Sequence, residues 1–352
     1  MDEGECNRQL TVPESPPKAR RGLRVAGGLL LLAALFVLGY VAAFLWTPYY
    51  GHPSVAEIEI SRGDTFDTIA RGLGDKGVVS QPRLFVFWAR LRGLDTKVHR
   101  GLYRFEGAVS PRSVLDALVR GRTVVNKVTI PEGFTVRQIG ALLERKGLVT
   151  PAEFAVAVSD PAVLSPLGTG SMEGYLFPTT YHFRALATEE EVVKTMFAEF
   201  RNVFTPEMET RARELGLTRH ELVTLASIIE KESGPGDEMP IISAVFHNRL
   251  KLGMRLQSDP TVIYGLADFN GDLTRKDLRS PGPYNTYTIR GLPPGPIANP
   301  GLAAMKAALF PAEVGYLYFV SKNDGSHHFS ENLREHNLAV AKYQKNRRAE
   351  TP

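Results

Sequence analysis

Leu225-Ala226-Ser227-Ile228-Ile229-Glu230-Lys231-Glu232-Ser233-Gly234 is the stretch around which the chain is organised. Leu222, Leu225, Ala226 and Ile229 recur at helical spacing and predict one buried stripe. Thr218 and Glu221 form a capping-box pattern, which starts the helix near Arg219. Ser233-Gly234-Pro235-Gly236 stops it after Glu232. The two glutamates are not equivalent. Ile228 and Ile229 lie four and three positions before Glu232, so its carboxylate stands over apolar neighbours. The same positions before Glu230 hold Ala226 and Ser227. Glu232 also sits in the last turn, where the helix dipole opposes negative charge. Both effects raise its pKa, which suits a general acid. Periodicity alone leaves a second reading open, a solvated Glu-Lys-Glu triplet at a fraying helix end.

The following sequence carries more information. Ile241-Ile242-Ser243-Ala244-Val245-Phe246-His247-Asn248-Arg249-Leu250 reads as a second helix, from about Met239 to Leu252. Gly253-Met254-Arg255-Leu256-Gln257-Ser258-Asp259-Pro260-Thr261-Val262-Ile263-Tyr264-Gly265 comes next. Tyr284-Asn285-Thr286-Tyr287 and Gly291-Leu292-Pro293-Pro294-Gly295-Pro296-Ile297 come later. In this order, across about Glu173 to Asn337, the motifs resemble the YceG-like family of endolytic murein transglycosylases, membrane enzymes that cut peptidoglycan. The resemblance implies that the second glutamate of the Glu-Lys-Glu-Ser motif, Glu232, is catalytic. Glu173-Gly174-Tyr175-Leu176-Phe177-Pro178-Thr179-Thr180-Tyr181 resembles a further family block that usually ends Phe-Pro-Asp-Thr-Tyr, with Thr179 in place of the acid.

A chain of 352 residues with 43% hydrophobic and 23% charged residues has room for two globular domains and a tail. The net charge of +4 permits weak attraction to anionic polymers, but no basic stripe interleaved with aromatics points to nucleic acid. The single cysteine, Cys6, excludes an intrachain disulfide. Val25 to Trp46 is 22 residues without a charge, long enough to cross a bilayer. Lys18, Arg20, Arg21 and Arg24 precede it, and Trp46, Tyr49 and Tyr50 mark its far end. The positive-inside rule puts the N-terminus in the cytoplasm and the rest outside the inner membrane. The span is too long for a signal-peptide core and lacks a clear small-x-small cleavage site, so an uncleaved anchor is expected.

Beyond the anchor the chain repeats itself at a spacing of 70 residues. Gly63, Thr65, Ile69, Leu73, Gly77, Val79 and Leu84 align with Gly133, Thr135, Ile139, Leu143, Gly147, Val149 and Phe154. Each copy reads as strand (Glu57 to Ser61; Asn126 to Ile130), two helices and an extended aromatic stretch (Tyr103 to Phe105; Tyr175 to Phe183). Such units resemble LysM glycan-binding modules. Leu84, Phe85, Phe87 and Trp88 are expected to be core rather than a sugar platform. Helices follow over Glu189 to Arg201 and Pro206 to Leu215. A strand over Tyr316 to Ser321, a hairpin turn at Asn323-Asp324-Gly325 and a helix from Glu331 to Asn346 close the chain. The expected fold is α+β: a transmembrane helix, LysM-like strand-helix-helix-strand repeats and a lytic transglycosylase domain. The expected divisions are a cytoplasmic tail (1–24), the span (25–46), a LysM-like module (47–125), a second related repeat (126–185) and the catalytic domain (186–352).

A lytic transglycosylase needs one acid/base, because the C6 hydroxyl of MurNAc replaces water and closes a 1,6-anhydro ring. Gln257, Asp259, Tyr284 and Asn285 are candidates for orienting groups, since amides and phenols suit aminosugars. Asp259, before Pro260, also reads as a helix start, and it is the second carboxylate if the enzyme is a hydrolase. Asn285 reads equally as a loop former. Glu173 either lines the cleft or is a structural acid. Arg255 meets a peptide-stem carboxylate or pairs on the surface. His327-His328 lacks metal-ligand spacing, Gly168-Thr169-Gly170-Ser171 lacks the Lys of a phosphate loop, and Ser233 has no nucleophile elbow. No cofactor is indicated. The expected partners are peptidoglycan strands, the membrane and, by resemblance, peptidoglycan synthases. An inactive wall-binding scaffold is the alternative from another class, and intact Glu232 argues against it.

Overall fold

A strand-helix-helix-strand order recurs in the computed structural model, its second copy with one additional short helix, and the model describes residues 18–51, 54–164, 170–234 and 238–345. The tail before Lys18 with Cys6, Pro235-Gly236 of the helix stop and Gly168-Thr169 lie outside the described residues. The chain divides into two compact units at Val124/Val125.

The first unit contains α1 (Lys18–Trp46), β1 (Val55–Ile60), α2 (Phe66–Asp75), α3 (Pro82–Leu91), β2 (Gly101–Glu106) and α4 (Pro111–Val119). Within α1, Arg24–Trp46 has a mean hydropathy of 2.5 and is long enough to cross a membrane. Its last turn joins the unit's core, where Phe44 and Leu45 meet a cluster with Ile58, Leu73, Phe85, Tyr103 and Leu118. Each such side chain contributes about 1.5–3 kcal/mol on burial. Phe85 is buried and Trp88 packs beside it with ring centroids 6.5 Å apart. Phe87 departs from the expected core set: it is 63% exposed. It sits two positions from Phe85, on the opposite side of the helix.

The second unit opens with β3 (Val125–Thr129), α5 (Val136–Arg145), α6 (Pro151–Val158), α7 (Pro161–Leu164) and β4 (Thr180–Arg184). The 70-residue alignment holds at the level of atoms. Thr65 and Thr135 each cap their helix by accepting the N–H three residues on. Gly77 and Gly147 end those helices at φ 69° and 66°, in the left-handed region that glycine enters without a Cβ penalty. The strands pair antiparallel in both copies, Ile58 opposite Tyr103 and Val128 opposite Tyr181. Each of these tyrosines is buried and donates its hydroxyl to a carbonyl four residues earlier, His99 or Phe177. The expected strand from Tyr175 is shorter than read, because Glu173 to Tyr175 form a buried turn and only Thr180 onward is extended.

The rest of this unit comprises α8 (Glu189–Val203), α9 (Pro206–Glu214), α10 (Arg219–Glu232), α11 (Met239–Lys251), α12 (Asp259–Gly265), α13 (Arg275–Arg279), α14 (Leu302–Leu309), β5 (Tyr318–Ser321), β6 (His327–Ser330) and α15 (Leu333–Val340). The helix α10 has the predicted ends and the predicted Thr218–Glu221 capping box. Its surroundings differ from the one-sided stripe that was expected. Every residue from Leu222 to Ile229 is buried, including Thr224 and Ser227. A helix buried on all sides needs its polar groups satisfied internally. Thr224 donates to His220 O, and Ser227 donates to Thr224 O while accepting from Ile297 N–H. The hairpin of β5 and β6 turns through Asn323 and Gly325 at positive φ, where the motif predicted a turn. The closing helix is shorter than expected and gives way to a π turn over Ala341–Lys345.

Candidate active site

Glu232 is the last residue of α10, and the buried helix delivers its carboxylate to the start of α12. Ser233 leaves the helix in an extended conformation, its N–H and hydroxyl both returning to Ile229 O. Glu232 Oε1 accepts the Ser258 hydroxyl at 2.6 Å, and among the described residues Oε2 accepts no hydrogen bond.

Two buried threonines hold Ser258 in place. Its N–H donates to Thr286 Oγ1 at 2.9 Å, Thr261 Oγ1 donates to Ser258 O at 2.7 Å, and the two threonine hydroxyls lie 2.8 Å apart. Just before Ser258, Gln257 stands at φ 51°, a left-handed conformation uncommon for a residue with a side chain. Its N–H donates to Thr286 O, its side chain is exposed, and its amide makes no hydrogen bond among the described residues.

Burial raises the Glu232 pKa to about 7, and nearby Asp259 adds to the rise. The Ser258 hydrogen bond and the Arg249 guanidinium oppose it. Arg249 extends from α11, 6% exposed, with Nε donating to Leu317 O and Nη1 to Leu256 O, both at 2.6 Å. Asp259 is exposed and accepts the Tyr287 hydroxyl at 2.6 Å. It is also the first residue of α12, the helix start that its place before Pro260 offered.

Glu173 is found elsewhere, at the other end of α12. It is 5% exposed, and Oε1 accepts both Val136 N–H and Asn299 Nδ2–H at 3.0 Å. Oε2 accepts the Tyr264 hydroxyl at 3.2 Å. Burial raises this pKa to about 7 as well. Asn299 in turn donates to Phe134 O and accepts Leu176 N–H, so the cluster ties three segments of backbone together. Of the two sequence readings of Glu173, the geometry is that of a structural acid. Tyr284 stacks obliquely on Tyr264, ring centroids 4.9 Å apart, and is half-buried.

Of the two sequence readings of Asn285, its hydrogen bonds are those of the loop former. It is 5% exposed; its amide donates to the carbonyls of Asp277, Leu278 and Ser280, and its oxygen accepts Tyr287 N–H. Every polar group is engaged in closing the loop after α13. Arg255 is exposed and lines a groove of about 540 Å³ with Tyr287. Glu230 faces a different partner from Glu232, as the helical angle requires: Oε2 accepts Gly301 N–H at 3.0 Å, at the start of α14.

Sequence reading missed Ser258, Arg249 and Tyr287 as parts of the site. Ser258 lies between two residues that were singled out, and only the fold shows that its hydroxyl reaches Glu232. Arg249 stands in the sequence only as one residue of the second helix. Its burial among carbonyls became visible when Leu317 and Leu256 were placed beside it. Among the described residues no cluster of His, Cys, Asp and Glu has the form of a metal site.

Residues 58–342 match the YceG-like family. The chain is 30% identical to the endolytic murein transglycosylase of Bacillus subtilis (strain 168), over 82% of this chain and 85% of that one. It is 29% identical to the endolytic murein transglycosylase of Streptococcus pneumoniae serotype 2, covering 81% of this chain and 58% of that longer protein. The crystal structure of a YceG-like protein from Listeria monocytogenes superposes with a TM-score of 0.56 at 31% identity, over 81% of this chain and 98% of that one. The chain belongs to the YceG-like family.

Proposed function

We propose that this chain is an endolytic lytic transglycosylase that cuts the MurNAc-GlcNAc bond of peptidoglycan strands, with Glu232 as the sole acid/base. The observation that carries the reading is the setting of that carboxylate. Burial raises its pKa to about 7, one hydroxyl holds Oε1, and Oε2 accepts no hydrogen bond among the described residues.

A protonated Glu232 gives its proton to the bridging oxygen as the bond from C1 of MurNAc breaks. The C6 hydroxyl of the same sugar then attacks C1, and its proton passes to the carboxylate. The acid is regenerated and no water is consumed. Because the hydroxyl is tethered to the reacting carbon, proximity supplies what an activated water supplies in a hydrolase. Ser258 fixes the carboxylate, and exposed Gln257 and half-buried Tyr284 are available to N-acetyl and hydroxyl groups.

Asp259 sustains a second reading. It is close enough to Glu232 to raise its pKa, and in a muramidase-type hydrolase it would serve as the second carboxylate. Mass spectrometry of digested peptidoglycan separates the two. Anhydro ends, one water lighter than hydrolytic reducing ends, are expected; full-mass reducing ends establish the hydrolase, and no products a scaffold.

The apolar run in α1 is the anchor in this proposal, crossing the inner membrane once with the basic residues Lys18 to Arg24 on the cytoplasmic side. The remainder then faces newly exported glycan, beside the synthases that extend it. The strand-helix-helix-strand copy in the first unit has the order of a LysM module and adds affinity for the strand, with exposed Phe87 as its available aromatic face.

A further inference from the structure

The groove lined by Arg255, Arg275, Leu278, Arg279, Tyr287 and Thr288 lies outside the hydrogen-bonded catalytic cluster but shares Tyr287 with it. Three guanidinium groups face one open space of about 540 Å³. None of the three forms an ion pair among the described residues, whereas Arg90, Arg104, Arg120, Arg184, Arg211 and Arg219 each do. Two acids close to them in sequence are engaged elsewhere: Asp277 accepts the Thr274 hydroxyl and N–H, and Asp259 accepts the Tyr287 hydroxyl. Three like charges converging without a counterion repel one another, and an anion in the groove relieves that repulsion. A planar guanidinium fork matches a carboxylate or phosphate in bidentate fashion. The fold builds the groove deliberately: Asn285 ties down the end of α13, which carries Arg275 and Arg279, and the turn at Gln257 follows Arg255.

We propose that this arginine groove is an anion subsite for the free carboxylates of a peptide stem borne by the strand being cut. The proposal rests on the glycan-cleaving reading and adds a specificity to it. Tyr287 places the groove beside Asp259 and Glu232, and in murein the stem hangs from the lactyl group of MurNAc, the sugar whose C1 reacts. A strand seated on Glu232 thereby brings a stem carboxylate near the arginines. The other anion a nascent strand carries is the pyrophosphate of its lipid link; that belongs at the strand's end, whereas stems recur at each MurNAc along an internally cut chain.

The test compares strands with intact stems, strands stripped of stems by an amidase, and stripped strands that keep the lipid pyrophosphate. The full-length protein in detergent is measured with Arg275→Gln/Arg279→Gln and, as a charge-keeping control, Arg275→Lys/Arg279→Lys. The preference in kcat/KM for stemmed over stripped strands is expected to fall about tenfold in the Gln pair, with partial retention in the Lys pair. Added salt is expected to erode the same preference in the unaltered protein. An unchanged preference, or an equal loss on stemmed and stripped strands, overturns the subsite. So does a loss confined to strands carrying pyrophosphate, which reassigns the groove to the lipid link. Binding of the three strands to Glu232→Gln protein, with and without the arginine changes, is read in parallel. If no version of the protein cuts glycan, the catalytic reading fails while this binding preference still decides the subsite.

Discussion

Glu232 and Glu173 stand at opposite ends of α12, and burial raises both carboxyl groups to about 7. Their surroundings are otherwise unlike. Glu173 is 5% exposed and accepts three hydrogen bonds, from backbone, amide and phenol, that join α5, the Glu173 turn and the segment before α14. Glu232 is half-buried, accepts one serine hydroxyl, and shares its surroundings with an exposed aspartate and a buried arginine. A raised pKa thus does not by itself mark the acid. A carboxyl that must hand a proton over and take it back needs an oxygen that the protein leaves open. A carboxyl whose oxygens are filled by the fold is holding the fold together.

The largest expected effect tests that contrast directly. Glu232→Gln is expected to lower the rate of glycan cleavage by about 10² to 10⁴, since the amide keeps the shape and cannot exchange the proton. Glu173→Gln is expected to keep most activity. Formation of anhydro ends by each variant is the measurement, and cleavage that survives Glu232→Gln but not Glu173→Gln reverses the assignment.

Stability is expected to divide the opposite way. Glu173→Ala leaves Val136 N–H and the Asn299 amide buried without their acceptor, at a cost of about 3 kcal/mol. Denaturant unfolding of the second unit's transition checks this. Glu232→Gln is expected to maintain or raise stability above pH 7. The sign follows from linkage: the carboxyl's pKa rises from an ordinary 4.5 to about 7 on folding, so between those values the folded protein holds more protons than the unfolded one. Stability therefore declines as pH rises through that window, and the amide removes this decline.

The pH profile offers a finer distinction. Because Glu232 must start protonated, kcat/KM is expected to fall as pH rises through about 7. Ser258→Ala removes a hydrogen bond that lowers the pKa of Glu232, so the falling limb is expected to move to higher pH. An unmoved limb would separate Ser258 from the acid's titration. The smallest effect belongs to Glu230→Gln, which retains an oxygen for Gly301 N–H and is expected to cost under about 1 kcal/mol, with cleavage maintained. A thermal-denaturation series read beside the activity assay will show whether the first glutamate is as separate from the chemistry as its partner suggests.

Local chemistry decided much of this protein before any folding was considered. The caps at Thr65, Thr135 and Thr218, the left-handed glycines at 77 and 147, the charge-free run ending at Trp46 and the 70-residue repeat all act over a few neighbouring residues, so they are legible in the sequence. The inequality of Glu230 and Glu232 was legible too, because positions two apart on a helix point about 160° away from each other. Burial on every side of α10 was not, since it depends on what other segments pack around the stripe. Nor was the fate of Asn285 and Glu173: their side chains have the same hydrogen-bonding capacity in any context, and only the approach of distant backbone filled it. Ser258 gives the clearest case. A serine hydroxyl carries no signal of its partner, and it became the group that holds Glu232 only when tertiary folding brought residues 26 positions apart to 2.6 Å.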